Sequence, residues 1–234
     1  MPRRRQKIWI TRARPGADAT AERVRTLGHE PIVAPLLAVK LLPDAQVELS
    51  GVAALAFTSA NGVRAFADLS GERSLRVFAV GAATAEAARA AGFRLVLSAD
   101  GDVEALANGI ALRRGELRGI VLHPGALEPA GDLVGALEAQ GVTARRLLLY
   151  ETVAVALTPE AAAPLLASDA VLLHSPKAAQ VLAGLLKAQP APGLRALGLS
   201  KAVVKPLARA KVGPRSFPSM PLEGALLNLI DRAS

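Results

Sequence analysis

The sequence predicts an α/β protein made of two open parallel-sheet domains, because one strand-to-helix pattern occurs twice. In LAFTSANGV an apolar run ends at Ser59 and continues as a helix-like segment, and LLHSPKAA repeats this at Ser175. The next apolar runs end at Gly81 and Gly198, which follow those serines by 22 and 23 residues. Self-similarity over so long a span indicates two related α/β units. Both serines fall at the carboxyl end of a strand, the usual ligand-binding edge of such sheets.

The first unit begins with a strand at Lys7–Thr11 and a helix at Ala17–Leu27, whose apolar positions recur at helical spacing before Gly28. Pro31–Val33 then starts a short strand. The apolar stretch Pro35–Pro43, PLLAVKLLP, is bracketed by prolines and is too short for another βα unit, so it indicates an extended connector.

The second unit alternates strands with helices, and two of its helices end at a Gly followed directly by strand-like residues, as in a parallel sheet. Its strands are predicted at Val52–Phe57, Arg76–Val80, Arg94–Leu97 and Gly119–Leu122. Its helices are predicted near Ala60–Leu69, Ala82–Ala91, Val103–Leu112 and Ala130–Gln140.

A β-rich run at Leu147–Leu157, broken by Thr158–Pro159, indicates a return connector that pairs with Pro35–Pro43. The chain then resumes βα units at Ala170–His174, Lys177–Lys187, Leu194–Leu197, Ala202–Ala210 and a last helix at Leu222–Arg232. Two strands before Pro35 are too few for a sheet, so the C-terminal third is expected to complete it. This predicts a discontinuous domain 1 (1–34 and 158–234), an inserted domain 2 (46–146), connectors at 35–45 and 147–157, and an interdomain cleft.

Composition favours a cytoplasmic protein. The 234 residues include no Cys, which excludes disulfides and thiolate chemistry. The basic start MPRRRQKIWITRARPG has no apolar region behind it, and no uncharged run approaches ~18 residues, so we expect no membrane association.

The net charge of +8 is compatible with a nucleic acid, an anionic metabolite or a generally basic proteome. The densest cluster, Arg3–Arg5, lies at the terminus, where chains fray. Because the sequence has no helix-turn-helix signature, zinc-finger spacing or aromatic RNA-binding platform, we expect no nucleic-acid partner.

Most motifs that carry chemistry are missing. The chain has no GxxxxGK[ST] loop, no GxGxxG after a strand and no GxSxG elbow. His29, His123 and His174 are scattered without partners at i+3 or i+4, so a metal site is not expected and each is interpreted as structural or exposed.

What is left is a set of hydroxyls, cations and backbone amides where strands end and helices begin. Helix N-termini hold carboxylates and phosphates, so several such turns suit a ligand with many carboxylates. The candidate substrate-binding residues are Arg12, Ser59, Ala60, Asn61, Thr84, Gly125, Ser175, Ser200 and Lys201. Ser59 and Ser175 could equally be ordinary helix caps.

At these residues the chain resembles the uroporphyrinogen-III synthase family over nearly its whole length. TRARPG…LG…P is similar to the family's opening T-R-P…L…G…P, FTSANGV to F-T-S-x-x-x-V, and VGAATA to G-x-x-T-A. LEAQGVTARRLLLYET is similar to L…G…V-Y-x-T, and LLHSPKAA and LGLSKA resemble the second S and G-x-x-T-A blocks. Two positions depart from the pattern. Ser200 and Lys201 stand where that last block has its hydroxyls, and Pro124-Gly125 stands where the family often has Arg-Gly.

The resemblance implies two open α/β domains, the first discontinuous and flavodoxin-like, joined by a two-stranded β connector. It also implies a monomeric lyase without a cofactor. Its substrate would be hydroxymethylbilane, a linear tetrapyrrole with eight carboxylates that loses water, inverts ring D and closes to uroporphyrinogen III. Tyr150 matches the family's connector tyrosine and is the expected proton donor, although it could instead be a packed strand aromatic. A two-lobed cytosolic binding or regulatory protein for a polyanionic metabolite is the alternative function.

Overall fold

Two parallel β-sheets organise this computed structural model, which describes residues 4–129 and 131–231. Contacts divide the chain into unit 1, residues 1–38 with 153–234, and unit 2, residues 39–152. The boundaries predicted for separate connectors stay a prediction. Arg3, Ala130 and Arg232, where a predicted cluster and two predicted helices begin or end, lie outside the described residues.

Strands and helices alternate along most of the chain, with two short 3-10 turns at Arg114–Glu116 and Lys205–Leu207. The strands are β1 (Lys7–Ile10), β2 (Glu30–Val33), β3 (Leu37–Leu41), β4 (Val52–Phe57), β5 (Arg76–Ala79), β6 (Val96–Ser98), β7 (Ile120–Ala126), β8 (Ala144–Ala154), β9 (Ala170–Leu173), β10 (Arg195–Gly198) and β11 (Arg215–Ser216). The helices are α1 (Gly16–Thr26), α2 (Ala60–Leu69), α3 (Ala82–Ala90), α4 (Val103–Ala111), α5 (Leu133–Glu138), α6 (Pro159–Leu166), α7 (Pro176–Ala188), α8 (Lys201–Val204) and α9 (Glu223–Leu227).

The sheet of unit 1 has the order β11-β10-β9-β1-β2, and its recorded strand pairs are parallel. Numbered within the unit, this is the flavodoxin-like order 2-1-3-4-5. The strand order therefore reverses between β1 and β9. Ligands of open α/β sheets bind at such a switch point, beyond the carboxyl ends of the two strands.

The sheet of unit 2 has the order β3-β8-β7-β4-β5-β6, and its strand order reverses between β4 and β7. Strand β8 pairs in parallel with β7 and is also the neighbour of β3. Hydrogen bonds from Leu42 N to Leu149 O and from Val155 N to Leu36 O lie at the two ends of the β3–β8 pair.

Apolar side chains cover both faces of each sheet. In β1, Ile8 and Ile10 belong to one buried cluster and Trp9 to another. In β4, Leu55 and Phe57 likewise pack on the face opposite to Ala54 and Ala56. Strands buried on both sides are typical of parallel sheets covered by helices, and they leave the strand ends as the positions for polar side chains.

The predicted elements are mostly present, and β4 and α2 have the predicted bounds. Helix α6 was not predicted, because Thr158–Pro159 reads as a break. In the structure the Thr158 hydroxyl accepts a hydrogen bond from Ala161 N at 3.3 Å, and Pro159 occupies the first turn, where proline favours helices.

Two C-terminal helices are shorter than predicted, and the edge strand β11 was not predicted at all. Helix α8 ends at Val204 and continues only as a 3-10 turn, since Pro206 has no N–H with which to continue the ladder. Helix α9 ends at Leu227 and is followed by turns.

The expectation that Gly125 lies between the end of a strand and the start of a helix is wrong. Strand β7 runs through Pro124 and Gly125, and α5 begins only at Leu133. Val121 N donates to Thr143 O on the β8 side, and the N–H groups of a strand alternate in direction, so the Pro124 nitrogen faces β4. Pro124 is tolerated there because β4 pairs with β7 only as far as Leu122.

Candidate active site

Ser59 and Tyr150 meet at the switch point of unit 2. Ser59 follows β4 and caps α2, where its Oγ accepts a hydrogen bond from Gly62 N at 3.1 Å. The same Oγ lies 2.9 Å from the Tyr150 hydroxyl, and either group could be the donor. The structure thus brings together a predicted substrate-binding residue and the predicted proton donor.

Tyr150 is only 5% exposed and packs against the apolar side chains of β4 and α2. Burial raises the pKa of its phenol above 10.0, and the hydrogen bond from Ser59 acts in the opposite direction. Because the phenol keeps its proton at neutral pH, Tyr150 can act as a proton donor or a hydrogen-bond donor there.

A glycine in α2 allows the end of β7 to approach this helix. A Cβ atom on Gly62 would lie 2.8 Å from the Pro124 carbonyl oxygen, and one on Gly125 would lie 3.2 Å from His123 Nε2. Real Cβ atoms essentially never show contacts under 3.0 Å. Gly62 therefore supports the geometry of the site through the absence of a side chain, whereas a Cβ on Gly125 would require a small shift of the His123 ring.

His123 is buried beneath this edge of the sheet. Its Nδ1 lies 2.9 Å from Ala56 O, which can only accept, so the neutral ring carries its proton on Nδ1. Burial lowers its pKa, the bond to Ala56 opposes this, and the charge of Arg146 lowers the pKa further. His123 is therefore a neutral structural residue at physiological pH.

The remaining predicted residues of unit 2 lie at helix starts. Ala60 and Asn61 form the first turn of α2, and Asn61 Oδ1 accepts a hydrogen bond from Arg64 at 3.1 Å. Arg64 is a cation near the site that the sequence analysis missed, although its i+3 spacing from Asn61 is a usable signal. Thr84 is 5% exposed in the first turn of α3, whose cap, Gly81, offers no side chain.

In unit 1 the predicted residues follow three adjacent strands. Arg12 lies after β1, Ser175 caps α7 after β9, and Ser200 precedes α8 after β10. Ser175 Oγ accepts from Ala178 N at 3.2 Å, whereas the Ser200 side chain makes no capping bond. Lys201 is exposed.

Glu223 occupies the switch point of unit 1, and sequence reasoning did not find it. Its carboxylate lies 3.3 Å from Arg12 Nη1 and 3.2 Å from Arg23 Nη1, and it accepts a hydrogen bond from the Thr20 hydroxyl. His174 Nε2 lies 3.7 Å from the same carboxylate.

The neighbours of Glu223 stabilise its charged form. The His174 ring, and then the Thr20 hydroxyl and the Arg12 charge, lower its pKa from 4.5 to about 2 against the opposing effect of burial. Neither ring nitrogen of His174 has a hydrogen-bond partner among residues 4–129 and 131–231, although both are buried. No motif pointed to Glu223, because the contact joins α9 to residues about 200 positions earlier.

Within the described part of the chain, no group of three or more His, Asp or Glu side chains could hold a metal ion. In those same residues, no helix is both long and apolar enough to cross a membrane.

The two sheets with polar side chains at their switch points define a doubly wound α/β protein of the class that binds small molecules at the carboxyl ends of its strands. A family model described as uroporphyrinogen-III synthase HemD matches residues 18–228, and the chain belongs to this family. Enzymes of the family are lyases of tetrapyrrole biosynthesis that cyclise hydroxymethylbilane.

The solved structure of a bacterial synthetase shows the same fold. The uroporphyrinogen-III synthetase of Helicobacter pylori 26695 is 16% identical, with a TM-score of 0.69 over 97% of this chain and 98% of that one. A mutant uroporphyrinogen III synthase of the extremely thermophilic bacterium Thermus thermophilus is 20% identical, with a TM-score of 0.49 over 96% and 97% of the two chains. No curated protein sequence matches the chain significantly.

Proposed function

We propose that this chain converts hydroxymethylbilane to uroporphyrinogen III with Tyr150 as the proton donor. The observation that carries the proposal is the 2.9 Å hydrogen bond between Tyr150 and Ser59 at the switch point of unit 2. A buried phenol needs a hydrogen-bond partner in any case. What favours a catalytic role is the position of this pair at the switch point, where open α/β sheets bind their ligands.

The reaction needs a mild acid rather than a strong nucleophile. A pyrrole nitrogen of the substrate pushes out the terminal hydroxyl, the C–O bond breaks, and the Tyr150 proton joins the departing oxygen to form water. The raised pKa keeps this proton available at neutral pH. The new carbon–carbon bond then closes the ring, and the conformation in which the substrate is held decides whether ring D is inverted.

Ser59 would stabilise the phenolate that this step leaves. Its Oγ accepts from Gly62 N, so its own O–H is available to donate to Tyr150. A hydrogen bond to a charged acceptor is roughly twice as strong as one between neutral groups, so the contact strengthens as the proton leaves.

We further propose that each unit supplies its own contacts to the eight carboxylates of the substrate. In unit 2 these are the free amides of Ala60 and Asn61, the first turn of α3 around Thr84, and Gly125. In unit 1 they are the Arg12 guanidinium and the turns at Ser175 and Ser200. The helix N-termini and the cations are the chemistry that carboxylates require.

The remaining expectations belong to the same proposal: a cytoplasmic monomer without a cofactor and without a nucleic-acid or membrane partner. The absence of Cys fits a reducing compartment. Size-exclusion chromatography with light scattering measures the oligomeric state.

The decisive experiment supplies freshly made hydroxymethylbilane to the purified protein and separates the type I and type III isomers by chromatography. Mainly type III product is expected. Type I alone, at the spontaneous rate, would overturn the proposal, and binding of hydroxymethylbilane without turnover would favour a binding or regulatory protein.

A further inference from the structure

The positive charge of this chain is concentrated in one segment. No acidic residue occurs between Asp169 and Glu223, whereas this interval holds eight Lys and Arg residues. The other 20 basic residues are balanced by the 20 acidic residues of the chain. The whole net charge of +8 therefore comes from residues 170–222, which form β9 to β11 and the helices between them in unit 1.

Part of this segment forms a groove of about 700 Å³ at the edge of the sheet, between the α8 region and β11. Three cations, Lys201, Lys205 and Arg215, line it together with apolar side chains. Phe217 is among these, and it is 43% exposed. The groove has the size of a small-molecule site, which is typically about 300–1,000 Å³.

Its cations are available to a ligand. Among residues 4–129 and 131–231, no acidic side chain lies within ion-pairing distance of Lys201, Lys205 or Arg215. Arg215 is held in place, since its Nη1 donates to Leu207 O at 2.7 Å and to Ala208 O at 3.1 Å. A guanidinium held by two hydrogen bonds, beside two exposed lysines and an exposed ring, is suited to an amphiphilic polyanion.

We infer that this groove is a second binding site for a carboxylated tetrapyrrole, separate from the Ser59–Tyr150 site of unit 2. The inference rests on the proposed function for the choice of ligand. A tetrapyrrole combines apolar rings, which Phe217 can cover, with carboxylates at its periphery, which the three cations can bind. A nucleic acid is less well matched, since one exposed ring offers stacking for a single base.

The test is a fluorescence titration of the full chain with uroporphyrin III, the oxidised and fluorescent octacarboxylate. The wild type is expected to bind two equivalents. Lys205→Glu and Phe217→Ser should each raise the dissociation constant of the second equivalent roughly tenfold. The first variant reverses a partly exposed charge that contacts the ligand, and the second removes an apolar contact.

Lys187→Glu is the matched control, because Lys187 is exposed on α7 in the same basic segment and does not line the groove. Lys187→Glu should leave the dissociation constants of both equivalents within about twofold of the wild-type values, since a charge outside the groove is screened at physiological salt. Thermal melts confirm that each variant is folded.

Binding of a single equivalent by the wild type would overturn the inference. Equal losses of affinity for the second equivalent in Lys187→Glu and Lys205→Glu would also overturn it. Displacement of the second equivalent by a short single-stranded oligonucleotide would assign the groove to nucleic acid instead. The isomer assay is independent of the titration. If the chain binds two equivalents and yields only type I product, the inference about the groove stands and the proposed function is wrong.

Discussion

The Ser59 hydroxyl lies 2.9 Å from the Tyr150 hydroxyl, although 91 residues separate them in the sequence. The contact joins the first turn of α2 to β8, on the two sides of β7. Ser59 therefore has two tasks, because the oxygen that caps α2 through Gly62 also orients a buried phenol. A helix cap alone would use only the acceptor of this hydroxyl.

Tyr150→Phe is expected to lower kcat by about 10–100-fold and to raise KM less, because it removes a proton donor and keeps the packing. In the wild type, activity should fall only as the pH rises through the phenol pKa, which burial holds above 10.0. Steady-state kinetics with isomer analysis measure both effects. An unchanged kcat in folded Tyr150→Phe would show that Tyr150 is only a packed strand aromatic.

Ser59→Ala and Ser175→Ala form a matched pair, since both serines cap helices through a similar hydrogen bond and only Ser59 contacts Tyr150. Each variant should lose about 1 kcal/mol of unfolding free energy with its cap. Only Ser59→Ala should also lower kcat. The alkaline limb of the pH–activity profile of Ser59→Ala should move to higher pH, since the hydrogen bond to Ser59 lowers the Tyr150 pKa.

Ser59→Thr keeps the hydroxyl and should recover most of the lost kcat. If Ser59→Ala and Ser175→Ala change stability equally and leave kcat, KM and the pH profile unchanged, both serines are only caps and the proposed role of Ser59 is wrong.

Gly62→Ala and Gly184→Ala separate a close approach from a general glycine effect. A Cβ on Gly62 would meet the Pro124 carbonyl oxygen at 2.8 Å, whereas one on Gly184, in α7, meets nothing within 4 Å. Gly184→Ala should stabilise the protein by about 0.5–1 kcal/mol through the unfolded chain. Gly62→Ala should destabilise it by roughly 1–3 kcal/mol, because the backbone must shift. Urea unfolding measures both, and a stabilising Gly62→Ala would contradict the close approach.

Local patterns predicted the bounds of β4 and α2 because apolar runs, a Ser cap and helical spacing act within a few residues. From the sequence, Ser59 could be placed at the ligand-binding edge of a sheet, but its contact with Tyr150 could not be predicted, because that distance depends on the order of the strands. The role of Glu223 could not be predicted, since its partners lie in α1 and directly after β1 and β9, and no local sequence pattern links these positions. Gly125 was misplaced because a Pro-Gly pair usually ends a strand, whereas here β7 continues along β8 alone.

Ala60→Pro tests whether backbone amides of α2 hold a substrate carboxylate. Proline at the first position of a helix removes one N–H that the helix does not use, and it keeps the required φ. The melting temperature should therefore change little, whereas KM should rise by up to about 30-fold, equivalent to ~2 kcal/mol. Pro159 already occupies this position in α6 and shows that the chain accepts it. A KM within error of the wild type would remove the amides of this turn from the binding site.

Glu223→Gln should make the chain less stable at neutral pH and remove part of its acid sensitivity. The folded-state pKa of Glu223 is about 2, against an ordinary value of 4.5, so its charged form stabilises the fold above pH 4.5. This contribution, on the order of 2–3 kcal/mol, is lost progressively as the pH falls from about 4.5 toward 2. Urea unfolding of the wild type and the variant at pH 7 and pH 3 measures the difference.

The control for this experiment is Glu22→Gln, because Glu22 is exposed on α1 and pairs with Arg25, three residues away. Exposed pairs of this kind contribute about 0.3–0.5 kcal/mol, so the control should change stability little at either pH. The gap between wild type and Glu223→Gln should be large at pH 7 and narrower at pH 3, because below about pH 4.5 the unfolded wild-type chain binds a proton that folded Glu223 does not take up until the pH approaches about 2. A gap that stays constant with pH would mean that Glu223 contributes through packing alone, and that Arg12 and His174 do not depend on its charge at the switch point of unit 1.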